Sequence, residues 1–209
     1  MKSINASDSS GKYPVLLGTL ATLVLGIMGS VASKFWPHAD AIYLLSSIII
    51  SLLLFKIFPE NGMILSRLTA VMPVFGVTSA FIYIWTYHDF RVANSALSNL
   101  GWTDYFILIT GTCIVTPVFE ELVVRRLLFL GVCRWFRGSF EWLGVFFGAL
   151  AVSFLFAMVH HGMVVYAFIF SIVMCFMAWK GVHTINRSIF HGVHNLIVII
   201  FSLNLFSWT

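Results

Sequence analysis

Charge is what this chain lacks most. Of its 209 residues only 10% are charged, against about a quarter in soluble domains. A water-soluble surface is therefore excluded over most of its length. No soluble domain, internal repeat, low-complexity tract or linker interrupts the chain, and the longest polar stretch between apolar runs is residues 88 to 104. Cysteine is scarce as well: Cys113, Cys133 and Cys175 show no C-x-x-C spacing and are odd in number, so they read as small buried hydrophobes. Two-residue alternation and Gly/Asn hairpin turns are missing, which excludes a transmembrane barrel. There is no H-E-x-x-H motif.

What the chain has is long apolar runs, at roughly 14–33, 39–58, 68–87, 103–132, 142–179 and 187–206. A hydrocarbon core of about 30 Å takes about 20 apolar residues as a helix. The 142–179 run is long enough for two spans, so the expected fold is all-α: a polytopic membrane helical bundle of about seven transmembrane helices, residues 1–209 forming one membrane-embedded domain. With seven spans, Lys2, Lys12, Lys56, Arg67, Arg125, Arg126, Arg134, Arg137, Lys180 and Arg187 fall on one side, and Lys34 and Arg91 on the other. Under the positive-inside rule this places the polar N-terminus, residues 1–13, in the cytoplasm. The net charge of +4 then reports topology, not nucleic-acid binding. Residues 14–33 resemble a signal peptide with a cleavage site at Ser30-Val31-Ala32. The run is longer than the 7 to 15 residues of a signal h-region, and an uncleaved anchor is expected.

An ionisable residue at mid-span costs about 2.5 to 3.5 kcal/mol on insertion scales, so each one requires a reason. Asp8, Asp40, Glu60, Asp89, Asp104 and Glu141 lie at the ends of runs, where a solvated loop charge is sufficient. Three places differ. In Thr116-Pro117-Val118-Phe119-Glu120-Glu121-Leu122-Val123-Val124-Arg125, Glu121 and Arg125 stand in the favoured i,i+4 order for a helical ion pair. Glu120 then points about 100° away, toward another partner. Pro117 bends or starts a helix beside the acids. In the middle of 142–179, His160 shares a helical face with Phe156 and Ser153, whereas His161 reads as a solvated turn residue. At the start of the last run, His191 and Asn195 share a face, and His194 lies near it. Each site also has a bland reading, as a structural salt bridge, a solvated turn or interhelical glue.

Together the three sites supply a carboxylate, imidazoles and an amide in a low-dielectric bundle. That set is enough for general-base hydrolysis with oxyanion stabilisation, and no serine or cysteine nucleophile with a companion base is evident. In these residues the sequence resembles the CPBP family of intramembrane proteases, the type II CAAX prenyl endopeptidases and their bacterial Abi relatives. The family pattern E-E-x-x-x-R, F-x-x-x-H, H-x-x-x-N stands here as Glu120-Glu121-x-x-x-Arg125, Phe156-x-x-x-His160 and His191-x-x-x-Asn195, within about residues 103–206.

The resemblance implies a glutamate-type intramembrane endopeptidase without metal or other cofactor. Glu120 and His160 would activate water, His191 and Asn195 would hold the oxyanion, and Glu121 and Arg125 would shape the site. It implies a membrane-associated protein or peptide as substrate: a prenylated C-terminus, a leader peptide or a C-terminal sorting tail. Small size and positive-inside loops suit a bacterial plasma membrane, where membrane-anchored tails are favoured over prenylated ends. Many relatives carry an aromatic before the motif arginine and a glycine after it; Val124 and Arg126 depart from this, and His161 and His194 are additional.

Two alternatives stand beside this reading. Glu120, His160 and His191 could be the three ligands of a catalytic zinc. The polar bundle could instead belong to a proton-coupled transporter or an immunity or scaffold protein that binds a peptide. Counting residues along the spans sets His160 near the outer end of one and His191 near the inner end of another. Sliding the first half of 142–179 toward residue 165 would bring His160 to mid-depth.

Overall fold

The computed structural model describes residues 12–35, 39–60, 67–86, 101–136, 138, 140–160 and 163–202. They form seven helical runs: α1 (Lys12–Phe35), α2 (Ala39–Ile57), α3 (Arg67–Thr86), α4 (Trp102–Trp135), α5 (Glu141–Met158), α6 (Val164–Trp179) and α7 (Thr184–Ser202). No strand occurs among the described residues. The all-α expectation holds, and α4 and α5 are long and apolar enough to cross a membrane.

The distribution of side chains is that of a protein in lipid. Large apolar residues such as Leu52, Phe147, Phe154 and Leu155 are exposed, while Arg125 and Arg187 are among the largest side chains fully buried. In water this arrangement would be unfavourable on both counts. It also corrects the charge tally: Arg125 and Arg187 are interior residues, not loop cations that report topology.

Within the 142–179 run, α5 ends at Met158 and α6 begins at Val164. His160 therefore lies in the turn beyond α5, not at mid-helix as a longer first span would have placed it. His161 and Gly162 lie outside the described residues, as do the polar residues 1–11.

By contacts the chain sorts into two compact units. One comprises residues 1–27 and 120–182, the other residues 28–119 and 183–209. The division falls within α4, between Phe119 and Glu120.

In the first unit, α5 packs on α6 and on the second half of α4. Phe129, Cys133, Val152, Cys175 and Ala178 form its core. Gly144 and Gly148, one turn apart on α5, make the close approach possible. A Cβ on Gly144 would lie 2.8 Å from the Phe136 Cβ, and one on Gly148 3.2 Å from Val132. Small residues four apart let helices pack closely where lipid provides no hydrophobic drive between them. Cys133 and Cys175 are buried as expected, Cys113 only partly, and all three are free thiols.

In the second unit, α7 packs against α3 and against α4 around Gly111–Val115. Its N-terminus is tied down by Glu60. The Thr184 N–H donates to both Glu60 carboxylate oxygens at 3.1 and 3.2 Å, and the Ile185 N–H donates to His183 Nδ1 at 3.2 Å. Because His183 Nδ1 accepts, the ring proton of the neutral form sits on Nε2, which faces Glu60 at 3.5 Å. A carboxylate at the positive end of a helix dipole with otherwise unfilled N–H groups is doubly favourable. The solvated-loop reading of Glu60 is thus corrected: it caps the helix that carries His191 and Asn195.

Candidate active site

In the first unit the site is built on α4 and the end of α5. From Glu121 to Phe129, α4 is wound as a π-helix. Glu121 and Arg125, both fully buried, pair at 3.3 Å across four residues, as their spacing predicts. Glu120, one residue earlier, is only half-buried, so of the two adjacent acids it is the less enclosed. The Arg125 guanidinium also lies over the Phe156 ring, 4.2 Å from its centroid. The imidazole of His160 is set against Phe156 at 4.2 Å between centroids, with 31° between the planes. Phe156 thereby joins the first two motifs into one chain of contacts, Glu121 to Arg125 to Phe156 to His160. A charge over an aromatic face is stabilising, more so where water is excluded.

His160 is fixed further by a hydrogen bond from Nδ1 to the Phe156 carbonyl, 2.7 Å long. A carbonyl can only accept, so Nδ1 carries the proton and Nε2 of the neutral ring presents a lone pair. The bond closes four residues back across the end of α5, where helical carbonyls lack their usual donors. The helix terminus thus selects the tautomer.

In the second unit, α7 carries His191, buried, and Asn195, half-buried, one turn apart on one face. Asn195 Nδ2 donates to the Thr112 carbonyl at 2.9 Å, a partner that no motif spacing points to. His194 is turned to a different task. It is hydrogen-bonded through Nδ1 to Ser79 Oγ at 3.1 Å and packs edge-on against Tyr83, both on α3. Arg187, one turn before His191, is buried and donates to Thr184 Oγ1 at 3.1 Å. Sequence reasoning missed the roles of Glu60, Thr112 and Arg187 in and around this helix: Glu60 read as a loop charge at the end of a run, Arg187 as a topology cation, and nothing pointed to Thr112. Among the described residues, no three His, Cys, Asp or Glu side chains gather in a way that could hold a metal ion.

His194→Ala should retain most cleavage activity while lowering thermal stability by roughly 1 kcal/mol, the typical worth of one buried hydrogen bond. His160→Ala should lose activity, and His161→Ala should not. Equal losses at His160 and His161, measured side by side in membranes, would contradict this assignment.

Comparison with known proteins returns no match among curated proteins or solved structures. Residues 102–197 do match a protein family, that of the type II CAAX prenyl endopeptidase Rce1-like proteins. The matched segment contains all three motifs, in the order in which they were recognised. The family is membrane-embedded and implies a peptidase acting on membrane-associated proteins. Over residues 102–197, just under half of its length, the chain is therefore similar to the Rce1-like type II CAAX prenyl endopeptidases.

Proposed function

We propose that this protein is an intramembrane endopeptidase, working as one membrane-embedded domain of seven spans. It hydrolyses a peptide bond near the C-terminal tail or leader of a membrane-associated protein, using water activated by Glu120 and His160. The observation that carries the reading is the Nδ1–H bond from His160 to the Phe156 carbonyl. It leaves Nε2 as an acceptor for the hydrogen of a water molecule, and Glu120 is the carboxylate to take that water's proton. Glu121 is already matched by Arg125, which assigns it to the support of the site rather than to the chemistry. His191 and Asn195 hold the oxygen of the scissile carbonyl as negative charge develops on it. Ring and amide N–H groups in a dry site suit that charge, because they need no reorganisation when it forms.

The membrane proposed is a bacterial plasma membrane, with the N-terminus in the cytoplasm. Membrane-anchored peptide tails are the proposed substrates, ahead of leader peptides and prenylated ends.

No metal takes part in this scheme, and chelation separates it from the zinc alternative. Purified protein treated with a strong chelator should cleave at its original rate, and Asn195→Ala should remain measurable but slower by about 100- to 1000-fold. Loss of cleavage on chelation and its return with zinc would instead make Glu120, His160 and His191 ligands.

A further inference from the structure

Pro117 lies three residues before the glutamate pair, and its effect reaches α7. A proline in a helix supplies no N–H and its ring displaces the carbonyl four residues back. Just before it, Gly111–Val115 is wound as a π-turn, in which the Thr116 N–H bonds the Gly111 carbonyl five residues back. The Thr112 carbonyl therefore lacks both possible helical donors: Thr116 is engaged by Gly111, and Pro117 has no hydrogen to give. Asn195 takes the vacant place, donating from Nδ2 at 2.9 Å.

The same stretch meets α7 at two further points. Gly192 lies so close to the Cys113 carbonyl that any Cβ there would collide with it. Ser188 Oγ, bonded mainly to the Thr184 carbonyl at 2.9 Å, also reaches the Pro117 carbonyl at 3.4 Å. Ser188, Gly192 and Asn195 are spaced i, i+4, i+7 and form one stripe of α7. Carbonyls of residues 112, 113 and 117 thus form a ledge that sets the height and rotation of α7.

We propose that Pro117 is a positioning residue of the active site: by withholding a donor from the Thr112 carbonyl, it creates the acceptor that orients the amide of Asn195. One hydrogen of Nδ2 is held by Thr112, and the planar amide then fixes the direction of the second, the one available to a substrate oxygen. An alanine at 117 restores an N–H, lets the π-turn relax toward an α-helix, and closes the Thr112 carbonyl to Asn195. This inference rests on the oxyanion role given to Asn195 above.

The test is a kinetic double-mutant cycle on the full-length protein in detergent, with two quenched-fluorescent probes: a farnesylated CAAX peptide and a membrane-anchored peptide tail. Pro117→Ala should lower kcat by roughly tenfold or more, within the range for a misplaced oxyanion donor, and leave KM nearly unchanged. In the Asn195→Ala background the same substitution should cost nothing further, because its effect runs through that amide. Parent-like kcat in Pro117→Ala, or losses that multiply in the double variant, would overturn the proposal.

A second measurement applies whether or not Pro117→Ala folds. In protein labelled with 15N-asparagine, the Asn195 side-chain pair, assigned by its disappearance in Asn195→Ser, should show one hydrogen protected from exchange. Two hydrogens exchanging at the rate of an open amide would overturn the Thr112 contact on which the proposal stands. Undiminished cleavage by Glu120→Gln would refute the hydrolytic reading instead, and the amide signal would still decide whether Thr112 orients Asn195.

Discussion

Glu120→Gln is expected to abolish peptide cleavage while the protein accumulates in membranes at the parent level. The expected loss is about 100- to 10,000-fold, the usual contribution of a positioned general base, because an amide of the same shape cannot take a proton from water. Glu120 is half-buried, and the fully buried ion pair with Arg125 is made by Glu121, so the neutral isostere removes chemistry while leaving that pair in place. A peptide-binding or immunity protein would keep its activity in this variant. Cleavage by Glu120→Gln at even a tenth of the parent rate would rule out the glutamate mechanism. Turnover of the quenched peptide probes, read against the amount of folded protein, makes the comparison.

Arg125→Ala should fail earlier, at folding. Its guanidinium neutralises Glu121, whose carboxylate is completely buried, and it also covers one face of Phe156. Removing one partner of a buried pair typically costs about 3 to 5 kcal/mol, since the remaining charge stays uncompensated in a medium that solvates it poorly. Against a total stability on the order of 5 to 15 kcal/mol, that should markedly reduce the folded yield. Arg125→Lys should recover part of it, keeping the charge but losing the planar group that lies flat on the ring. Fluorescence-detected size exclusion from solubilised membranes measures both. An Arg125→Ala protein as abundant and heat-stable as the parent, yet inactive, would move Arg125 from support into the catalytic set.

The two variants separate the neighbouring glutamates by physical role. Glu121 is spoken for by a residue on its own helix, so its charge belongs to the architecture of α4. Glu120 is set one residue away and is only half-buried. Phe156 is the link between the first two motifs: it carries Arg125 on its ring and His160 through both ring and carbonyl. The F-x-x-x-H spacing then has a mechanical reason, because only four residues separate a side chain from the carbonyl its own turn presents.

The sequence by itself determined the helical content, the approximate extents of the seven runs, the Glu121–Arg125 pair and the three motifs with their order. These depend on composition, on periodicity, or on residues within one turn of each other, and such information is local. A lipid environment strengthens it further, since an ionisable residue in an apolar run must have a reason to be there. Tertiary structure decided the rest. It ended α5 at Met158 and used the freed Phe156 carbonyl to set the tautomer of His160. It turned Glu60 from a loop charge into the cap of α7, and His194 from a candidate beside His191 into a partner of Ser79. It also wound Gly111–Val115 so that Thr112 meets Asn195, 83 residues away. No spacing rule reaches that far. A hydrogen-bonding group that its own helix leaves unfilled is completed by whichever side chain the packing brings to it, and the identity of that side chain is written only in the folded chain.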